Sequence, residues 1–156
     1  MSSKIVKDNT TKDNTPKDPG LIGNGQIEAA ILDLQKNPTE EELAHTLTVI
    51  RRRMKEGGQL IVDVEPQPAS AQMSLKTVTT PDGGVWWMAF TSFEEELKGA
   101  DSLKSTFLSE IDKVFEAALG VPQIKGVIIN PWNRTLMLDK TLIRIVRPGQ
   151  ASVLKK

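Results

Sequence analysis

The chain has 156 residues and a mass of 17.2 kDa, which predicts one domain with short tails. Lys and Arg together number 20, as do Asp and Glu, so no surplus of positive charge is available to bind nucleic acid or an acidic membrane surface. Cysteine is absent, which excludes disulfides, thiolate nucleophiles and cysteine zinc sites.

Residues 1–22 are expected to form a disordered tail. Most of residues 4–19 are Lys, Asp, Asn, Thr and Pro, a composition that buries too little apolar surface to offset the entropy of ordering. Residues 1–20 contain no apolar run of the kind found in export signals. No stretch of the chain approaches the roughly 20 apolar residues of a membrane span, so we expect a cytoplasmic protein. A folded domain is predicted over residues 23–148, followed by a C-terminal tail over 149–156.

Two helices are predicted at the start of the domain. Apolar residues at helical spacing follow Gly23-Asn24-Gly25, and Asn37-Pro38 ends this first helix. Thr39 with Glu42 forms a capping box for a second helix, which Gly57-Gly58 ends. The short connection predicts that the two helices are antiparallel.

Five strands are predicted beyond the helix pair, near residues 60–64, 73–79, 85–90, 126–129 and 135–138. Ser92 caps a short helix, Leu108 and Ile111 lie at the spacing of another, and Asp139 caps a last one. This order predicts an α+β fold with a single, mainly antiparallel sheet of about five strands, packed with helices and preceded by the helix pair.

Eight apolar side chains are predicted to be buried: Ile31, Leu47, Ile50, Val62, Phe90, Ile111, Phe115 and Ile128. On the third strand, Trp86, Met88 and Phe90 share one face, and Trp87 lies on the other. The first face is the bulkier, so we expect it to pack under the helices.

Few side chains suggest catalysis. His45 lies off the apolar stripe of its helix and has no partner for a zinc site or a triad, so we interpret it as a surface residue. Arg51-Arg52-Arg53 spread around the helix axis and are interpreted as a solvated helix end. We therefore expect no enzyme, no catalytic residue, no metal and no cofactor, although the abundant carboxylates leave acid catalysis open.

Trp87, Trp132, Asn133 and Arg134 form the candidate partner-binding site. Exposed tryptophan is a preferred anchor residue of protein interfaces, and Trp132 lies in a predicted turn. Asn133 and Arg134 would supply a polar rim beside it. The alternative interpretation is that both tryptophans belong to a second apolar layer beneath covering helices.

Two motifs resemble a known family. The run DGGVWWMAFTSFEEEL, from Asp82 to Leu97, resembles a signature of the SseB N-terminal domain, named after the bacterial enhanced serine sensitivity protein. GVIINPW, from Gly126 to Trp132, is similar to a second element of that family, and the likeness extends over residues 26–147. It implies a bacterial α+β domain with no established catalytic residues. The second domain that many of these proteins carry has no counterpart here, so the serine phenotype is not carried over.

These observations predict a non-catalytic, cytosolic protein-binding domain. The resemblance implies an immunity or secretion-accessory role, with a toxin, an effector or a secretion-associated protein as the partner. A small-molecule sensor, or a carboxylate-dependent enzyme with a pocket on the sheet, remains the alternative.

Overall fold

The computed structural model describes residues 19–66, 73–98 and 105–147. The helices are α1 (Gly25–Lys36), α2 (Glu40–Lys55), α3 (Phe93–Leu97), α4 (Ile111–Leu119) and α5 (Lys140–Val146). The strands are β1 (Gln59–Pro66), β2 (Met73–Leu75), β3 (Thr77–Thr79), β4 (Val85–Ala89), β5 (Ser105–Glu110), β6 (Gly126–Ile129) and β7 (Leu136–Asp139). A 3-10 turn, Pro19–Leu21, precedes α1.

The predicted helix pair is confirmed. The Thr39 hydroxyl accepts a hydrogen bond from the Glu42 N–H at 3.1 Å and so satisfies a donor at the start of α2. Gly57 follows α2 with a φ of +78°, a conformation that glycine adopts at little cost. Between them, α1 and α2 bury Ile31 and Ile50 in the core.

The α+β class is confirmed, but the prediction of a single, mainly antiparallel sheet is wrong. The described residues form two sheets: a three-stranded antiparallel sheet of order β2-β1-β5 and a four-stranded sheet of order β3-β4-β6-β7. In the second sheet β4 and β6 are parallel, and the other neighbours are antiparallel.

The split arises because the predicted strand 73–79 changes sheets at Lys76. The Lys76 N–H donates to the Asp63 carbonyl at 2.8 Å, and the Lys76 carbonyl accepts from the Met88 N–H at 3.4 Å. One residue is therefore bonded to both sheets. Ile61 and Phe90 exchange two backbone hydrogen bonds of 2.9 Å at an isolated bridge that also joins the sheets.

A second correction concerns residues 105–110, which form β5 and not the start of a helix. Leu108 lies three residues before Ile111 and thus imitates helical spacing, but the helix α4 begins at Ile111. The backbone of β5 pairs with β1 over six positions, and this tertiary pairing determines the local structure.

All eight predicted core residues are buried, as expected. The principal core joins α1, α2, α4 and α5 to strands of both sheets, and Ala89 belongs to it with Trp87 packed beside it. Met88 and Phe90 belong instead to a smaller cluster with Ile61. The prediction for the faces of β4 is therefore wrong: both faces are covered, so side-chain bulk did not reveal which one meets the helices.

The turn before β4 explains the placement of Trp86, whose indole N–H donates to the Thr80 hydroxyl at 3.2 Å. That hydroxyl also donates to the Asp82 carboxylate at 2.6 Å, and the Gly84 N–H donates to the same oxygen at 2.9 Å. These two bonds, the Thr80 bond first, hold the pKa of the exposed Asp82 carboxyl below its ordinary value. The turn thus orients the first tryptophan of the pair.

The predicted tails, residues 1–22 and 149–156, lie almost wholly outside the described residues. Residues 1–18 and 148–156 lie outside the described residues. Residues 19–22 do not: Leu21 packs against the smaller cluster, and the Gly20 carbonyl accepts a hydrogen bond from Arg53. Among the described residues, no helix combines the length and the apolar character needed to cross a bilayer.

Phe115 offers a test of the core. Its side chain is fully buried in α4, so Phe115→Ala leaves a cavity and is expected to lower the free energy of unfolding by about 3–5 kcal/mol. Ile145→Ala is the matched control, because truncating the half-exposed Ile145 side chain is expected to cost about 1 kcal/mol or less. Urea unfolding monitored by circular dichroism gives both values, and equal losses would contradict this position for α4.

Candidate functional site

Thr91 and Asn130 form a buried polar pair at the ends of the parallel strands β4 and β6. The Thr91 N–H donates to Asn130 Oδ1 at 3.0 Å, and Asn130 Nδ2 donates to Thr91 Oγ1 at 3.0 Å. The Asn130 N–H donates to the Ala89 carbonyl at 2.8 Å, so the Asn130 backbone continues the hydrogen bonding between β4 and β6. The Asn130 side chain then adds one more pair of hydrogen bonds, to Thr91. Asn130 has a φ of +54°, a left-handed conformation that asparagine tolerates better than most residues.

Asn24 connects this pair to the helices. Its Nδ2 donates to the Thr91 carbonyl at 3.1 Å and to the Gln59 carbonyl at 2.8 Å. Its Oδ1 accepts from Arg53 Nε at 3.0 Å. Because the side chain is used in these tertiary bonds, it makes no capping bond to α1, although it occupies the N-cap position.

Arg53 contradicts the interpretation of Arg51-Arg52-Arg53 as a solvated helix end. Its guanidinium is buried, donates to the Gly20 carbonyl at 2.9 Å and pairs with Glu56 at 2.6 Å. A Cβ at Gly58 would lie 2.8 Å from Arg53 Nη2, so this glycine makes room for the guanidinium. Arg51 is also engaged, since it donates to the last carbonyls of α5. The sequence pattern did not show these acceptors because most of them are distant in the chain.

Two carboxylates extend the network towards the surface. Glu28 accepts from the Thr91 hydroxyl at 2.5 Å and from Arg134 Nη1 at 3.3 Å. Arg134 Nη1 also lies 3.8 Å from the Glu95 carboxylate, so a single guanidinium lies between two acids. Asn133 Nδ2 lies 3.5 Å from the same Glu95 oxygen. Arg134 has a φ of +50°, an unfavourable conformation for arginine that this set of contacts maintains.

The short helix α3 has inverted polarity. Two of its three acidic residues, Glu95 and Glu96, are only 2% and 4% exposed, and the third, Glu94, is exposed. The apolar Phe93 and Leu97 are 39% and 62% exposed. The Oε1 atom of Glu95 is buried and has no hydrogen-bond partner among the described residues. Burying a carboxylate while exposing apolar side chains costs stability, and the contacts of Glu95 with Arg134 and Asn133 offset part of this cost.

The structure brings together three of the four predicted site residues. Asn133 and Arg134 contact α3, and Trp132 precedes them in the β6–β7 turn with its side chain 45% exposed. Trp87 is not part of this group, because it is half-buried and packs against the principal core. For Trp87 the structure therefore favours the interpretation as an apolar layer. His45 is exposed, as expected.

Sequence reasoning missed Glu28, Glu95 and Thr91 as members of this site. Glu95 lies three residues after the capping Ser92, as in a capping box, and its backbone N–H donates to the Ser92 hydroxyl at 3.2 Å. The capping pattern concerns the backbone and gives no information about where the carboxylate points. The available signal was the polar residue that follows each of two apolar strands, Thr91 after the first and Asn130 after the second.

An open cleft of about 270 Å³ lies elsewhere, lined by Arg51, Met54, Lys55, Glu110 and Asp112. It contains neither of the acids that converge on Arg134. Of the two acids that line it, Asp112 is paired with Arg147 at 2.7 Å. Within residues 19–66, 73–98 and 105–147, no group of three or more metal-ligating side chains occurs.

Comparisons with protein-family models, with curated proteins and with solved structures return no match for this chain. The likeness to the SseB N-terminal domain remains a prediction from the motif residues.

Thr91→Val tests whether the network depends on the Thr91 hydroxyl. Valine has nearly the same shape but leaves the buried Asn130 Nδ2 and Glu28 Oε2 without this partner, so the free energy of unfolding should fall by about 1–3 kcal/mol. Thr91→Ser keeps the hydroxyl and should lose less. The same exchange at the exposed Thr79 is the matched control, for which about 0.5 kcal/mol or less is expected. A Thr91→Val protein as stable as the wild type would show that these bonds stabilise nothing.

Proposed function

We propose that this chain is a non-catalytic, cytosolic protein-binding domain that contacts its partner through the α3 face, defined as the exposed side chains of Phe93, Leu97 and Trp132. The observation that carries the proposal is the inverted polarity of α3. Phe93 and Leu97 are four residues apart, so they lie on one side of the helix, opposite the buried Glu95. Exposed aromatic and aliphatic anchors of this kind are typical of protein interfaces.

We assign Trp132 to this surface because the two residues that follow it contact α3. Asn133 and Arg134 hold the β6–β7 turn against Glu95 on the inner side of α3. Arg134 and Lys98 are each about one-third exposed at their side chains and lie around the same carboxylate. They supply the polar rim that protein interfaces place around apolar anchors.

The class of partner comes from the SseB likeness alone. It favours a toxin, an effector or a secretion-associated protein, and hence an immunity or secretion-accessory role. The alternative of a small-molecule sensor or carboxylate-dependent enzyme has less support. The two acids that converge in the candidate site, Glu28 and Glu95, are paired with Arg134 and do not line the described cleft.

Trp132→Ala tests the proposal. Because its indole is half-exposed, the substitution should leave the melting temperature nearly unchanged but weaken partner binding by about 2 kcal/mol or more. The partner is sought by affinity capture from the native lysate and among the products of neighbouring genes, and its affinity is then measured by calorimetry. Met137→Ala, at a residue of similar exposure on β7, is the matched control and should keep full affinity.

Two results would refute this assignment. One is a large loss of stability in Trp132→Ala without a selective loss of binding, which would make Trp132 a core residue. The other is a stoichiometric partner whose affinity is the same for Trp132→Ala, Leu97→Ala and the wild type.

A further inference from the structure

The strand β5 is an open edge of the three-stranded sheet. In the described residues its only neighbour is β1, and the side chains of Ser105, Thr106 and Phe107 are exposed. Its six residues make it longer than the other edge strands, β2 and β3 with three residues each and β7 with four. An edge of this length is a template for a further strand.

The direction of the free backbone groups of β5 follows from Ile61. The N–H and the carbonyl of Ile61 both bond to Phe90, which lies on the side of β1 away from β5. Leu108 is the residue of β5 opposite Ile61, and it therefore forms no backbone hydrogen bond with Ile61. Since backbone groups alternate along an antiparallel strand, Phe107 bonds to β1 and Thr106 and Leu108 point outwards. The edge therefore presents the N–H and carbonyl groups of Thr106 and Leu108.

Within the described residues, β5 has none of the bulges, prolines or lysines that protect many edge strands. Its register with β1 runs one-to-one from Ser105 to Glu110, so it contains no bulge. It has no proline or lysine, and its single charge is on the last residue, Glu110. At its centre, Phe107 is 52% exposed and shares a face with Val62.

We propose that a second copy of this chain pairs with β5 in the antiparallel direction, with the two-fold axis at Phe107. In this register, the backbone of Thr106 in one copy bonds with the backbone of Leu108 in the other. The N–H and carbonyl groups that point away from β1 thus find partners in the second copy. Phe107 then lies directly opposite Phe107 of the second copy in a non-hydrogen-bonded pair, the closer of the two pair types. The exposed rings cover each other, and aromatic cross-strand pairs are stabilising.

An identical strand suits this edge for a further reason. From Ser105 to Ser109 the strand carries no charge, so two copies meet without like-charge repulsion. The result is a continuous six-stranded sheet of order β2-β1-β5-β5-β1-β2 with a closed two-fold interface. The α3 face belongs to elements around the other sheet, so this interface is independent of the proposed partner site.

Sedimentation of the full chain tests the pairing. Because the interface is small, the 17.2 kDa chain should shift to twice this mass within about 1–500 µM. Phe107→Lys places two charges against each other and should raise the dimer dissociation constant at least about tenfold. Thr106→Pro removes the N–H of Thr106, which points outwards and makes no bond to β1, and it should also raise the dimer dissociation constant. Met137→Lys, with a similar exposure on the edge strand of the other sheet, is the matched control and should still dimerise.

Cysteine cross-linking tests the register, because the chain has no cysteine of its own. Phe107→Cys should form a disulfide between copies, since opposite Cα atoms of such a pair are about 4.5 Å apart. Ser109→Cys should form no such disulfide, because residue 109 of one copy lies opposite residue 105 of the other. The two introduced cysteines are then four residues apart along the strand, or about 13 Å. A monomer at every concentration, a dimer unaffected by both edge variants, or faster cross-linking at position 109 would overturn the proposal.

Discussion

The hydrogen-bonded pair of Thr91 and Asn130 is the interaction on which the rest of the described structure depends. It lies where the parallel strands β4 and β6 end, and it is fully buried. Through Asn24 it is connected to Arg53 and α2, and through Glu28 to Arg134 and the surface. An unmade bond in such a network leaves a buried polar group without a partner, so the members are energetically coupled.

This network also explains why the proposed binding surface exists. Arg134 and Asn133 attract the Glu95 carboxylate to the interior, and the opposite side of the short helix α3 must then face outwards. Phe93 and Leu97 are exposed as a consequence. The apolar surface is therefore a result of the buried electrostatics and not an isolated defect of the surface.

Features of the fold set by short-range patterns could be predicted from the sequence. The caps at Thr39 and Asp139 depend on residues three apart, and the core helices on a repeat of about 3.6 residues. The change of sheet at Lys76 could not be predicted, because its partners Asp63 and Met88 lie 12 or more residues away in the chain. The contacts of Arg53 could not be predicted for the same reason, since its acceptors Asn24 and Gly20 lie 29 and 33 residues earlier in the chain. In the candidate site, the turn position of Trp132 was predictable, but the burial of Glu95 was not, since capping accounts for an acid at that position.

A double-mutant cycle tests the central claim that Thr91 and Asn130 act as a unit. Thr91→Val removes the hydroxyl, and Asn130→Gly removes the side chain while tolerating the left-handed φ of +54°. Urea unfolding gives the stability of the two single variants, the double variant and the wild type. The account predicts that the double variant loses less than the sum of the single losses, by about 1–3 kcal/mol. Losses that add to within about 0.5 kcal/mol would contradict it, because independent sites behave in that way.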